Sequence, residues 1–285
     1  MQAASYTMGY ATSGFAYHRF DDAVAILADL GYGAVSLTLD VVHLDPFAAD
    51  LAARVTNIAE ILERRRMKVV VETGARFLLD PRRKHRPTLM DDGDRRRAFN
   101  AVAVRIARDL GADCVALWAG AKPEALSRDD AWARLVDGCG DALTHADRAG
   151  VDLAFEPEPG FLVETVAEWA TLRTALGDPD RFRLCLDIGH LLATGEGDPG
   201  DVIRKFAPHI ATAAIEDTRR GRHEHLPFGE GHLDVPSVLD ALDAVGYRGI
   251  LSVELSRHAF DAVNVATRAR DILLGLGAPF RTPAP

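Results

Sequence analysis

Short, nearly unbroken apolar runs alternate along the chain with longer stretches in which apolar residues return every three or four positions. The first pattern predicts strands buried on both faces, the second amphipathic helices. Strands are expected at 6–12, 34–39, 68–72, 114–118, 151–156, 182–186, 210–215 and 249–254. Helices are expected at 21–30, 49–65, 94–110, 128–149, 166–176, 199–206, 235–245 and 264–274. Ala23, Ile26, Leu27 and Leu30 share one helical face, as do Leu51, Val55, Ile58 and Leu62. Gly31, Gly111 and Gly150 stand where a left-handed residue ends a helix, and Pro236 sits early in its helix, where proline is tolerated.

Strand–helix alternation with no linker predicts a single parallel (β/α)8 barrel over 1–277, with its site at the C-terminal ends of the strands. A doubly wound sheet is the competitor, but no GxGxxG follows the first strand. The proline-rich tail 278–285 is expected to fray. The composition, 48% apolar and 26% charged, supplies a large core, and a net charge of −9 argues against generic nucleic-acid binding. Cys114, Cys139 and Cys185 are odd in number and lack CxxC spacing, so they suggest neither a disulfide framework nor a thiolate metal site; Cys114 and Cys185 read as buried filler. With no signal-like opening and no membrane-length apolar run, the expected location is the cytoplasm.

Candidate chemistry collects at strand ends. Phe182–Asp187 runs straight into an acid, with His190 in the first turn of the loop beyond. The alternative is that Asp187 only caps a following helix. Glu72, Glu156 and Glu254 close other strands, and acids converging on one barrel mouth repel unless a cation or protons intervene. Carboxylates with imidazole suit Mn²⁺, Mg²⁺, Co²⁺ or Zn²⁺. His223 and His225 flank Glu224, so an extended backbone turns both rings to one side, as a ligand pair would need. The basic run from Arg76 to Arg86 is either a solvated loop or an anion clamp, with Arg82, Arg83 and Lys84 as candidate substrate contacts. Trp118 can stack on a sugar ring or simply pack. His258 reads as a substrate contact or plain surface.

Glu156, Asp187-Ile-Gly-His190, the loop His225-Leu-Pro-Phe-Gly-Glu-Gly231 and Val253-Glu254 resemble the xylose-isomerase-like barrel superfamily, which includes sugar isomerases, ketose 3-epimerases, inosose dehydratases and, more remotely, endonuclease IV-type enzymes. The resemblance implies a divalent metal held by Glu156, Asp187 and Glu254, with His190 near the substrate or a second metal. It also implies Glu156 and Glu254 as an acid–base pair working through an enediolate on a sugar, sugar phosphate or cyclitol. The chain departs from that pattern at Ala214, where the family usually carries a histidine. Glu216, two positions on along the same strand face, can replace it as ligand or contact the substrate; alternatively His223 and His225 move in. Two other readings remain open: a phosphodiesterase of the endonuclease type, and a non-catalytic sugar-binding barrel. The expected partner is a small sugar-like molecule, without nucleic acid or membrane, and a homo-oligomer is compatible with the chain.

Overall fold

In the computed structural model, which describes residues 6–281, eight parallel strands close in sequence order into a barrel. They are β1 (Thr7–Ala11), β2 (Ala34–Thr38), β3 (Lys68–Glu72), β4 (Val115–Leu117), β5 (Leu153–Phe155), β6 (Phe182–Asp187), β7 (Ile210–Ile215) and β8 (Ile250–Val253). The helices that cover them are α1 (Phe20–Asp29), α2 (Leu51–Arg65), α3 (Arg95–Leu110), α4 (Arg128–Ala149), α5 (Val166–Ala175), α6 (Ile188–Thr194), α7 (Pro199–Phe206), α8 (Val235–Ala244) and α9 (Ala262–Gly275). Gly111 and Gly150 end α3 and α4 in the left-handed conformation read from the sequence.

The two-residue period of a strand sorts its side chains between two environments. Outward positions are bulky: Val35, Leu37, Val69, Val71, Leu153, Phe155, Leu251 and Val253 belong to the main core packed between barrel and helices. Burying each such side chain contributes roughly 1.5–3 kcal/mol relative to exposure. Inward positions, among them the smaller Ala34, Cys114, Ala116, Ala154 and Cys185 together with Val70 and Ile250, form a separate cluster inside the barrel. Ser36 Oγ meets Ser252 Oγ there at 2.6 Å. All three cysteines are free and buried, and burial pushes their thiols upward.

Three departures from the sequence reading bear on the site. Residues 188–194, expected as loop, form α6, and short 3-10 turns follow β1 (Thr12–Phe15) and β8 (Ser256–Asp261). The tail does not leave the surface at residue 278. Ala278 is buried, the Phe280 ring packs edge-on to Tyr32 at 5.0 Å, and Arg281 donates its amide to Gly31 O and its guanidinium to Tyr32 O. Residues 282–285, the rest of that expected tail, lie outside the described residues. Among the described residues no helix is long and apolar enough to cross a membrane.

Candidate active site

Continuing the inward period past the strand ends brings the chemistry together. Val70 leads to Glu72, Ala116 to Trp118, Ala154 to Glu156, Cys185 to Asp187 and Ser252 to Glu254. A cavity of about 390 Å³ at the barrel mouth is lined by Glu72, Trp118, Glu156, Glu158, His223 and Glu254, among others. Loop residues beyond the strand ends, Glu158 and Arg76 among them, also line it.

Asp187 turns out to be both cap and site residue. Its Oδ1 accepts the His190 amide at 3.1 Å and starts α6, while the buried Oδ2 has no hydrogen-bond partner and lies 3.4 Å from His190 Nε2. His190 is therefore in the first turn of a helix rather than a loop. Its Nδ1 faces the Pro157 carbonyl at 3.0 Å; a carbonyl only accepts, so Nδ1 carries a proton. His190 Nε2 lies 3.2 Å from His223 Nε2, which lies 3.2 Å from His225 Nε2. His223 Nε2 has a single in-plane position, N–H or lone pair, and so can serve only one of these contacts. Protonation offers little relief, since burial pushes His223 down to about 4 and His225 to about 3.

The loop bearing His223 and His225 is built around Asp217, whose part in it the sequence reading missed. Asp217 and Leu226 exchange backbone hydrogen bonds at 2.9 and 2.8 Å. The buried Asp217 carboxylate accepts the amides of Thr218, Gly229, Gly231 and Leu233, each at 2.9 Å. A side chain at Gly231 would run into Asp217 and the Thr218 backbone, so only glycine closes this turn. Phe228 joins the core, docking the loop on the barrel as its apolar residues suggested.

Glu216, read as a ligand or a substrate contact, is 1% exposed and does not line the cavity. It sits behind Asp187, with Oε1 3.6 Å from His225 Nδ1 and Oε2 unpartnered, and Gly189 leaves it room that a Cβ would take. Burial and neighbouring acids push Glu156, Glu158, Glu216 and Glu254 up, and burial takes Glu72 to about 7. Burial also opposes the charge on Asp187, but His190, His225 and the capped amide outweigh it and hold this carboxyl low. Ligand atoms of Asp187, His225 and Glu254 lie within 4.8 Å of one another, as do those of His190, His223 and His225, and those of Asp187, His190 and Glu216. Crowded acids, converging imidazole nitrogens and the orphaned Asp187 Oδ2, Glu216 Oε2 and His225 Nδ1 make a donor set that fits a divalent cation.

Three predicted contacts stand elsewhere. Arg83 turns out to pair with Asp80 at 2.7 Å, Arg82 is exposed away from the cavity, and His258 packs against Phe260 without lining it. Of the basic loop, Arg76 and Lys84 face the cavity, and Arg257 joins them from the β8 side. Arg76 belongs to the basic run read from the sequence, and Glu158 stands two residues beyond Glu156. Arg257 carried no such signal. Trp118 does line the cavity, with Arg96 Cζ 4.7 Å from its ring centroid and Phe161 at 5.1 Å.

Fold and site together define a (β/α)8 barrel with an acid–imidazole centre at its C-terminal mouth. The chain belongs to the xylose isomerase-like TIM barrel family, whose model matches residues 24–274. It is 28% identical to L-ribulose-5-phosphate 3-epimerase UlaE of Escherichia coli over 211 residues, 72% of this chain and 74% of that one. It is 29% identical to inosose dehydratase of Lacticaseibacillus casei over 143 residues, 44% of this chain; the match spans about half (47%) of the dehydratase. A solved L-ribulose 3-epimerase superposes with a TM-score of 0.75 at 24% identity, covering 95% of this chain and 94% of that one. The IOLI protein with a bound zinc atom gives 0.72 at 15% identity, covering 97% and 99%. The named relatives include sugar epimerases and a dehydratase, all enzymes.

Proposed function

We propose that the protein is a divalent-metal-dependent epimerase or isomerase of a sugar, sugar phosphate or cyclitol. The observation that carries this reading is the buried convergence of Asp187, His225 and Glu254, with the unpartnered Asp187 Oδ2 beside them. The epimerase and dehydratase relatives support the substrate class. Asp187, His225 and Glu254 would hold the cation, with Glu156, His190 and His223 next to it. When bound, a divalent cation supplies polarisation of a carbonyl and its adjacent hydroxyl.

The protein's own groups do the rest. Glu156 and Glu254 extend from β5 and β8, three strands apart in a ring of eight, and so approach a bound sugar from different sides. One takes the proton from the carbon next to the carbonyl, and the other returns it to the opposite face. Burial and neighbouring acids raise both carboxyls, which strengthens their hold on a transferred proton. Trp118 walls the cavity with its ring, and Glu72, held by the Thr38 hydroxyl at 2.7 Å, offers a carboxyl to sugar hydroxyls.

The test is exchange of the substrate carbon-bound hydrogen with deuterated water, across a panel of ketoses, ketose phosphates and inososes, with Mn²⁺, Mg²⁺, Co²⁺ or Zn²⁺ added to metal-stripped protein. Metal-dependent exchange on one member supports the reading. A protein that stays metal-free after reconstitution leaves the non-catalytic barrel in its place. The endonuclease-type reading draws on the second imidazole cluster, His190, His223 and His225, which offers a second cation position. Cleavage of an abasic duplex with no exchange on any sugar would favour it.

A further inference from the structure

The cavity is bipolar. Its floor is carboxylate and imidazole, whereas its rim carries Arg76, Lys84 and Arg257 in a chain of net charge −9. Of the other cations of the β3–α3 loop, Arg83 pairs with Asp80 at 2.7 Å and Arg86 with Asp91 at 2.9 Å, while Arg82 is exposed and does not line the cavity. Among the described residues, none of the three rim cations has a carboxylate within 4.0 Å. Glu158 is the acid whose field reaches Lys84, and Arg76 and Arg257 act on that lysine in the opposite sense.

The rim is also held in place. The His85 amide donates to the Arg76 carbonyl at 2.6 Å, which folds the loop so that Arg76 and Lys84 come to the same wall. Beneath them the buried Arg96 guanidinium donates to Thr73 O, His85 O and Pro87 O at 3.0, 3.1 and 2.8 Å, fixing both ends of the loop. Arg257 is tied to the histidine loop through His223 O at 2.9 Å. Arg76 and Arg257 both act on Lys84, and like charges gathered at one rim repel one another unless an anion lies between them.

We propose that Arg76, Lys84 and Arg257 bind the phosphate of a phosphorylated sugar whose carbonyl end rests on the carboxylate–histidine floor. The sugar part rests on the reading above; the anion site does not. Arginine offers paired N–H donors to phosphate oxygens and lysine a point charge, and a phosphate near −2 matches three cations better than a single carboxylate does. The cavity, about 390 Å³, takes one monosaccharide phosphate.

Two measurements on the metal-loaded protein separate the layers. The first is thermal stabilisation by inorganic phosphate, against chloride at equal ionic strength and against glucuronate, in wild type and Arg76→Ala/Lys84→Ala/Arg257→Ala. Stabilisation by phosphate that the triple variant loses is the expected result. No phosphate effect, an equal effect in the variant, or an equal response to glucuronate overturns the phosphate site. The second is the ratio of kcat/KM for a ketose phosphate over its unphosphorylated ketose. It is expected to fall at least tenfold in Arg76→Ala and less in Arg76→Lys. An unchanged ratio overturns the role in substrate selection. Phosphate binding at the rim without turnover of any sugar would sink the epimerase reading and leave the anion site standing.

Discussion

At the scale of single residues, Asp187 answers two questions with two oxygens. Oδ1 caps α6 and Oδ2 is left as a candidate metal ligand, so the alternatives read from sequence are compatible. Asparagine keeps a cap acceptor but loses the charge. Asp187→Asn is therefore expected to change stability by less than about 1 kcal/mol while weakening metal binding at least tenfold, read by denaturant unfolding and by metal titration. Equal metal affinity in the variant would remove Asp187 from the ligand set. Glu254→Gln retains shape and loses the ionisable group; turnover is expected to drop by roughly 10²–10⁴ with the far-UV spectrum unchanged. The period of two made these acids legible in sequence. It did not reveal Arg257, because an isolated arginine beyond a strand end resembles any solvated one.

Among elements, the segment from Glu216 to Leu233 matters most for the ligand set. The sequence offered two replacements for the missing strand-seven histidine, and the structure brings both to Asp187: Glu216 from beneath and His225 from the cavity side. His225 groups with Asp187 and Glu254, while Glu216 groups with Asp187 and His190. Metal analysis is expected to show loss of the ion in His223→Ala/His225→Ala and retention in Glu216→Ala. The opposite outcome makes Glu216 the ligand. Asp217 holds this loop through four backbone amides, so Asp217→Ala should cost roughly 2–4 kcal/mol and lower metal occupancy together. Its role was hidden because the partners lie up to sixteen residues away, beyond any local pattern. Helix α6 was missed for a different reason: seven residues with a glycine near the start carry too little periodicity to read.

For the whole molecule, the barrel was legible because each unit repeats one pattern, a short apolar strand followed by an amphipathic helix. What the pattern could not supply was the electrostatic state of the centre, which depends on burial of every member at once. In metal-free protein Glu156, Glu216 and Glu254 have folded values well above 4.5, and Glu72 lies at about 7. A carboxyl raised by folding binds its proton more tightly folded than unfolded, so its contribution is lost as pH rises through the raised value. His223 and His225, lowered to about 4 and 3, act in the other sense, but only below their unfolded value of 6.5. Above pH 6.5 the two histidines no longer contribute, whereas Glu72, at about 7, is titrating there and is worth up to about 1.4 kcal/mol per pH unit. The metal-stripped protein is expected to melt at lower temperature at pH 8 than at pH 6.5, with a flatter profile in Glu72→Gln. Metal should flatten the wild-type profile as well, because a bound cation replaces the protons that the crowded acids retain. A stripped protein that gains stability across this window would show that the acids at the barrel mouth are already ionised without metal.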